Sequence, residues 1–246
     1  GLEGGRPRSQ AFLESFGVKD ISPSPSLLIG AQDMAPLQLA QLYEYLASDG
    51  HALPLLAVRG VVDGNGRTIK RYEVQEGPGE YQPAVRLITW AMQQVALFGT
   101  AHSIGDSGLA WLNAAGKTGT SNDMRDSWFA GFTGDRLAVF WMGRDDNKPT
   151  GLFGATGALR IWRNLFARLP TRPLSAAPGP GLEMAWINPA DGKRIDPQCS
   201  GARELPVVAG SLPPDTEGCF WQRVGNFFGV GDNDAPPAQP APAPTH

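Results

Sequence analysis

Three apolar stretches of strand length follow one another in the middle of the chain, and a short polar turn separates each from the next. They cover residues 109–118, 127–133 and 137–143. Their lengths and the short turns predict sequential antiparallel strands. A helical pattern over residues 155–169 comes next and ends at Pro170. Strands followed by a helix that can cover them are typical of an α+β fold.

Two more helices and a hairpin are predicted upstream of these strands. Apolar residues recur at helical spacing over residues 36–47 and over residues 81–98. Between the two helices, strands over residues 55–62 and 68–74 flank a turn rich in Gly and Asn, which tolerate positive φ. The fold class predicted from the pattern is therefore an antiparallel sheet flanked by helices. The first 30 residues are mixed and give no clear element.

Composition excludes several classes of protein. The chain has 31 Gly and 22 Pro among 246 residues, nearly twice the usual combined share of roughly 12%, so it is not a helix bundle. The net charge of -3 argues against binding to nucleic acid. The sequence contains no run of 18 apolar residues, so no membrane span is predicted within it. Residue 1 is Gly and no targeting segment is evident, so we expect a chain truncated at its N-terminus.

The C-terminal third divides into three predicted parts. Residues 171–181 are proline-rich and predict a linker, and residues 182–225 predict a small strand-rich unit. Residues 226–246 form a Pro/Ala-rich tail that we expect to be disordered. Cys199 and Cys219 lie 20 positions apart, which favours a disulfide over a zinc site, because zinc would need more ligands nearby. Two free buried thiols are the alternative.

Residues 115–121, with the sequence AGKTGTS, carry the most informative motif. A phosphate-binding loop would need glycine where the chain has Trp111, and a helix where Gly119 would break one. The other interpretation is the Lys-Thr-Gly signature of serine acyltransferases that react with penicillin, which lies on an edge strand beside the catalytic serine. Three residues alone are weak evidence, so the surrounding sequence decides.

Three further segments follow the motif in order: DSWFAGFT at residues 126–133, WMGRD at residues 141–145, and the stretch over residues 153–162. With them, residues 26–219 resemble the C-terminal part of the transpeptidase domain of class A, bifunctional penicillin-binding proteins of the Gram-negative 1b type. The resemblance implies the penicillin-recognising serine transferase fold, also found in β-lactamases, with a five-stranded antiparallel sheet between helical layers. Residues 1–170 would be an incomplete, C-terminal part of that domain.

The resemblance also implies roles for four residues. Lys117 would order the serine and lysine network of the active site, and Thr118 and Thr120 would bind the terminal carboxylate of D-Ala-D-Ala or of a β-lactam. The backbone N–H of Thr120 would form half of the oxyanion hole. Gly119 would let a peptide lie beside the strand, because no side chain stands in its way. No metal or cofactor is implied.

The sequence departs from the family pattern in one respect. The nucleophile of the family comes from a Ser-x-x-Lys motif and a second serine from Ser-x-Asn, and neither motif occurs in the 246 residues. Ser48-Asp49-Gly50 mimics a variant of the second motif, but it ends the predicted helix over residues 36–47. We therefore expect the nucleophile to lie outside this chain and the chain alone to be inactive.

The parent protein implied by the resemblance is a peptidoglycan D,D-transpeptidase that is inhibited by penicillin. It would also carry a glycosyltransferase domain and a single membrane anchor upstream, and it would act on the periplasmic side of the inner membrane. Its partners would be peptidoglycan stem peptides and β-lactams, and other cell-wall synthesis proteins are open candidates. The alternative function is a non-catalytic module for binding such proteins, formed by residues 182–221.

Other features of the sequence carry weaker functional signals. Ser107 would need glycine at position 109 to form a nucleophile elbow, and the internal histidines, His51 and His102, suit loops. Asp145-Asp146-Asn147 resembles a cation loop, but Pro149 follows and no glutamate closes it, which favours a solvated turn. A β-lactamase would end soon after the motif, whereas 126 residues follow Thr120. The aromatic residues of the predicted strands are expected in the core of the sheet: Trp128, Phe129, Phe140 and Trp141.

Overall fold

A computed structural model describes residues 2–176, 178–214 and 216–219 of the chain. It divides into two compact units, Gly1–Leu182 and Glu183–His246. The predicted tail over residues 226–246 and the end of the predicted C-terminal unit, residues 220–225, lie outside the described residues. The larger unit combines helices with antiparallel strands, in agreement with the predicted α+β class.

The described residues contain four α-helices and seven β-strands. The helices are α1 (Leu2–Ser15), α2 (Pro36–Ala47), α3 (Gln82–Phe98) and α4 (Ala158–Phe166). The strands are β1 (Gly60–Val62), β2 (Thr68–Arg71), β3 (Ala115–Thr120), β4 (Ser127–Phe132), β5 (Leu137–Met142), β6 (Leu182–Ile187) and β7 (Arg203–Val208). The predictions for α2 and α3 are confirmed to within one residue, and α4 is shorter at both ends than the predicted 155–169.

The main sheet has three strands in the order β3-β4-β5, and all neighbours are antiparallel. The register runs without a bulge, from Ala115 opposite Phe132 to Thr120 opposite Ser127. Within the described residues this sheet has three strands, whereas the family resemblance implied five. β3 is therefore an edge strand in the part of the chain that the structure describes.

Residues 109–112 do not form a strand, contrary to the prediction of a strand over residues 109–118. They lie in short helical turns, with left-handed backbone at Gly108 (φ 79°) and at Asn113 (φ 48°) on either side. Leu109 and Leu112 are buried there. A short apolar run fits a buried helical turn as well as a strand, so its periodicity could not separate the two.

Helices pack on both faces of the main sheet. On one face, Phe129 of β4 contacts Trp162 of α4, with ring centroids 5.4 Å apart, and Trp162 stacks on Phe166 at 3.8 Å. On the other face, Ala115 and Phe132 join Met92 of α3, and apolar side chains of α2 cover them. Burial on both faces fixes the register, because a slip by one residue would exchange the two faces.

Helix α1 was not predicted. Its sequence contains two glycines and Pro7, which have the lowest helix propensities, so the local signal is weak. Tertiary contact supports it instead: the rings of Phe12 and Phe16 lie 5.5 and 5.4 Å from the ring of Tyr45 on α2.

The β1–β2 hairpin is shorter than predicted, and all seven of its strand residues are exposed. The Asp63 carboxylate accepts hydrogen bonds from the backbone N–H of Asn65 and of Arg67, both at 2.9 Å, which closes the turn. Because these strands bury no side chains, the hairpin is stabilised mainly by its own backbone hydrogen bonds, which explains why its strands are short.

The smaller unit contains the β6–β7 pair and a disulfide between Cys199 and Cys219. Lys193 pairs with Glu217 at 2.6 Å, close to the second cysteine in sequence. Across the described residues of both units, no helix has the length and apolar character needed to cross a membrane.

Candidate active site

Strand β3 places the motif residues along an open edge. Lys117 and Gly119 lie on one face of the sheet, and Thr118 and Thr120 on the other, because side chains alternate along a strand. Lys117 and Thr120 are exposed, and Thr118 is half-buried. At Gly116 the strand packs directly on the ring of Phe129, because a Cβ at this position would lie only 2.6 Å from Cζ of Phe129.

The register also sets which backbone groups face the open edge. The N–H of Ser121 donates to the carbonyl of Asp126 at 3.2 Å, one pair beyond Thr120 and Ser127. In an antiparallel ladder hydrogen-bonded pairs alternate with unbonded ones. The N–H and C=O groups of Thr118 and Thr120 therefore point away from β4, toward the open edge, where an added strand could bind them.

The ammonium group of Lys117 lies at this edge. Its Nζ donates to the carbonyl oxygen of Thr118 at 2.8 Å, one of the outward-facing backbone groups. The side chain is thus folded along the strand and places a positive charge beside the backbone of Thr118. An anionic group bound at this edge would be attracted by that charge.

The hydroxyl of Thr118 meets a residue that the sequence did not single out. Its Oγ1 lies 2.7 Å from Oγ1 of Thr100, in the turn that follows α3, and either hydroxyl could be the donor. The sequence signal for Thr100 was only its position after Gly99, the predicted end of the helix over residues 81–98.

The hydroxyl of Thr120 is held by backbone. Gly154 N–H donates to Thr120 Oγ1 at 3.0 Å. Gly154 approaches so closely that a Cβ there would lie 2.7 Å from the carbonyl oxygens of both Gly119 and Trp128. Only glycine fits without displacement, and the resemblance had covered this segment without assigning it a role.

A polar network closes the turn from β3 to β4. The Ser121 hydroxyl donates to Asp126 Oδ2 at 2.7 Å, and Trp141 Nε1 donates to Asp126 Oδ1 at 2.9 Å. Trp141 is 43% exposed, so its expected place in the core is wrong, whereas Phe129 is fully buried as predicted. The exposed ring lies at the end of the sheet that carries Thr120, where its N–H orients the carboxylate of Asp126.

One cavity of the described residues lies away from β3. It has a volume of about 330 Å³ and is lined by residues of α2, α3, the end of β4 and the segment after α4, and by Asp49 just beyond α2. No residue of β3 lines it. Asp49 is paired with Arg86 there, and Ser48 is the C-cap of α2, so Ser48-Asp49-Gly50 has a structural role at a helix end.

The remaining candidate residues have local partners. Ser107 Oγ donates to the carbonyl of Ile104 at 2.9 Å, while His102 Nδ1 lies 2.8 Å from Asp106. His51 Nδ1 lies 2.9 Å from the carbonyl oxygen of Gly77. None of these contacts joins Ser107 to a histidine.

In the Asp145-Asp146-Asn147 turn, the negative charge of the Asp146 carboxylate is paired with Arg144 and Lys148. The Arg144 guanidinium donates to both carboxylate oxygens of Asp146 at 2.9 Å, and its hydrogen bond lowers the pKa of Asp146 to about 2. Lys148 Nζ lies 3.2 Å from the same carboxylate. Within the described residues, no group of three or more His, Cys, Asp or Glu side chains could hold a metal ion.

Residues 10–161 match the model of the penicillin-binding protein transpeptidase domain, which is more than half of the chain. The chain belongs to this family. It is 36% identical over 210 residues to penicillin-binding protein 1B of Escherichia coli, and 39% identical over 211 residues to penicillin-binding protein 1B of Vibrio cholerae. Both alignments cover 84% of this chain but only 24% and 27% of the relatives, so the chain spans about a quarter of their length.

Two solved structures of penicillin-binding proteins share the fold. Penicillin-binding protein 1A of Haemophilus influenzae superposes with a TM-score of 0.68 at 24% identity, covering 84% of this chain and 37% of that one. The penicillin-binding protein PonA1 of Mycobacterium tuberculosis gives a TM-score of 0.54 at 19% identity, covering 81% of this chain and 49% of that one. The predicted family and fold class are thereby confirmed.

Proposed function

We propose that this chain supplies the strand that binds the acyl donor in a serine D,D-transpeptidase of peptidoglycan synthesis. The observation that carries the proposal is the open edge of β3, where outward-facing backbone groups, the Lys117 ammonium and two threonine hydroxyls stand together. An extended peptide that ends in a carboxylate would find on this edge a backbone partner, a cation and two hydroxyl donors.

The reaction that the family resemblance implies would need a serine from outside the 246 residues. The serine oxygen would attack the carbonyl carbon of the penultimate D-Ala and lose its proton to a base. The N–H of Thr120 would stabilise the oxyanion, and one such donor is worth around 3 kcal/mol. The C–N bond would then break, D-Ala would leave with a proton, and an amine would take the acyl group, returning the proton to the serine oxygen.

The motif residues divide three tasks in this scheme. Thr118 and Thr120 would donate their hydroxyl protons to the terminal carboxylate of the donor, while Gly119 leaves the edge clear for its backbone. Lys117 would order the serine and lysine network and stabilise the negative charge. A β-lactam would bind in the same way and leave a stable acyl-enzyme. We propose that this activity belongs to the periplasmic side of the inner membrane, as the family resemblance implies.

Covalent labelling with fluorescent penicillin tests the proposal. We expect no adduct on the 246-residue chain, and a strong adduct on the polypeptide extended into the upstream reading frame that carries Ser-x-x-Lys and Ser-x-Asn. In that extended polypeptide, Lys117→Ala should slow labelling by about a hundredfold, in the range found for removal of one electrostatic stabiliser. Thermal unfolding should be unchanged, because the Lys117 side chain is exposed.

Lys148→Ala is the matched control, since Lys148 is also an exposed lysine and its ion pair among the described residues is with Asp146. It should label at the rate of the unaltered polypeptide. Labelling of Lys117→Ala at that same rate would contradict the role proposed for Lys117. An upstream frame without the two serine motifs would overturn the transpeptidase proposal as a whole.

A further inference from the structure

Thr100 lies beside the open edge of β3 and is the described side chain that contacts the Thr118 hydroxyl. The two Oγ1 atoms are 2.7 Å apart, although 18 positions separate the residues in sequence. Thr100 is exposed, so water could satisfy its hydroxyl without the contact to Thr118.

The turn that carries Thr100 is held firmly against α3. The N–H groups of Gly99 and Ala101 both donate to the carbonyl of Val95, at 3.1 and 3.2 Å, and Ala101 is fully buried. A Cβ at position 99 would lie 2.9 Å from Cα of Val95, so the tight turn requires glycine. Thr100 is therefore fixed between two anchored residues, and its hydroxyl has a defined position relative to β3.

We propose that Thr100 is a positioning residue that sets the direction of the Thr118 hydroxyl for the carboxylate of the acyl donor. This inference rests on the proposed function. A carboxylate only accepts hydrogen bonds, so Thr118 must donate its one proton to it. The contact between the two threonines can then persist only with Thr100 as the donor.

The contact thereby forms a short relay of two hydroxyls. Thr100 O–H donates to Thr118 Oγ1, and Thr118 O–H donates to the carboxylate. Aligned hydrogen bonds polarise one another, so the donor from Thr100 strengthens the bond that Thr118 gives to the anion. Without Thr100, water would have to supply that donor, and the Thr118 hydroxyl would be free to rotate.

The Thr120 hydroxyl also accepts a hydrogen bond from a neighbouring segment, and here the donor is a backbone N–H. Its Oγ1 accepts from the N–H of Gly154, which cannot reverse direction, so its own proton is directed elsewhere. The two carboxylate-binding hydroxyls thus each receive one donor from a neighbouring segment. For Thr120 the donor is backbone, and for Thr118 it is the side chain of Thr100, which a substitution can remove.

The test measures acylation of the extended polypeptide by penicillin and by a penicillin whose carboxylate is esterified. Thr100→Val keeps the shape of the side chain and removes the hydroxyl, and we expect it to lower the acylation rate by penicillin about tenfold, as for a hydrogen bond to a charged group. The rate with the ester should change by less than about twofold. Thr100→Ser should restore most of the rate with penicillin.

Thr68→Val, on the separate β1–β2 hairpin, is the matched control and should leave both rates unchanged. A Thr100→Val rate equal to that of the unaltered polypeptide would overturn the inference, as would an equal loss with penicillin and with its ester. The ester comparison distinguishes a positioning role from a general loss of structure, because a misfolded edge would slow both reactions.

Thr118→Val separates this inference from the proposed function. If Thr118→Val leaves acylation by penicillin unchanged, the carboxylate site itself is wrong. If Thr118→Val slows it and Thr100→Val does not, only the relay is wrong. If each single variant slows acylation by penicillin, then adding Thr100→Val to Thr118→Val should cause less than about a twofold further loss, because the two residues act through one bond.

Discussion

Two glycines set the shape of the site at the scale of single residues. Gly116 leaves room for the ring of Phe129 beneath β3, and Gly154 lies against the backbone of β3 and β4. The sequence predicted Lys117, Thr118, Gly119 and Thr120 because they are contiguous in a motif. It could not predict Gly154 or Thr100, because their contacts depend on segments 34 and 18 residues away in the chain.

Gly154→Ala should therefore destabilise the chain. The new Cβ would lie 2.7 Å from two carbonyl oxygens, and backbone atoms cannot move aside cheaply. We expect a loss of about 1 to 3 kcal/mol in the free energy of unfolding, as for other overpacked sites. Urea unfolding of the 246-residue chain measures it.

Gly64→Ala is the control, because no atom lies within 4 Å of the Cβ that it would add. Its free energy of unfolding should stay within about 0.5 kcal/mol of the unaltered chain. Equal stability of both variants would show that the segment around Gly154 does not approach β3 as described.

At the scale of elements, β4 supports the helix that follows the sheet. Ser127 is fully buried on β4, and its hydroxyl donates to the carbonyl of Phe153 at 2.9 Å and accepts from the N–H of Ala158 at 3.0 Å. Gly157, the N-cap residue of α4, has no side chain to do this. A serine from the sheet thus caps the helix and links it to the strand.

We expect Ser127→Ala to lower the free energy of unfolding by about 1 to 2 kcal/mol, since it leaves the N–H of the buried Ala158 without its partner, whereas the Phe153 carbonyl keeps the N–H of Gly157 at 2.9 Å. Ser15→Ala, at an exposed helix end where the hydroxyl bonds Phe12, should change it by less than about 0.5 kcal/mol. Urea unfolding of both variants decides, and a Ser127→Ala chain as stable as the Ser15→Ala chain would contradict the capping role.

Periodicity predicted the elements that have a one-sided apolar face and failed where tertiary contact decides. Helices α2 and α3 have clear stops at Ser48 and Gly99, and their bounds followed from the sequence. Helix α1 depends on contacts between its phenylalanines and Tyr45, and residues 109–112 turn because of left-handed backbone at Gly108 and Asn113. Neither cause is visible in local apolar spacing.

At the scale of the whole molecule, the chain consists of two compact units, and the disulfide lies within the smaller one. The loop between Cys199 and Cys219 spans 20 positions, and closing a loop of that size is worth about 3 kcal/mol in the chain-entropy model. Replacing both cysteines by Ala should therefore loosen the smaller unit and leave the main sheet intact.

Amide hydrogen exchange measures this effect. Exchange in residues 183–214 should quicken in the double Cys199→Ala, Cys219→Ala variant, while exchange in β4 and β5 should stay unchanged. Treating the unaltered chain with a reductant should give the same pattern. Faster exchange in β4 would contradict the division into two units, and unchanged exchange throughout would contradict the stabilising role of the disulfide.

The binding of an acyl donor along β3 is the central claim, and a crystal structure of the extended polypeptide acylated by penicillin tests it most directly. We predict that the acyl carbonyl oxygen accepts a hydrogen bond from the N–H of Thr120, and that the penicillin carboxylate lies within hydrogen-bonding distance of the hydroxyls of Thr118 and Thr120. An acyl group bound away from β3, or a carboxylate that contacts neither threonine, would contradict the account.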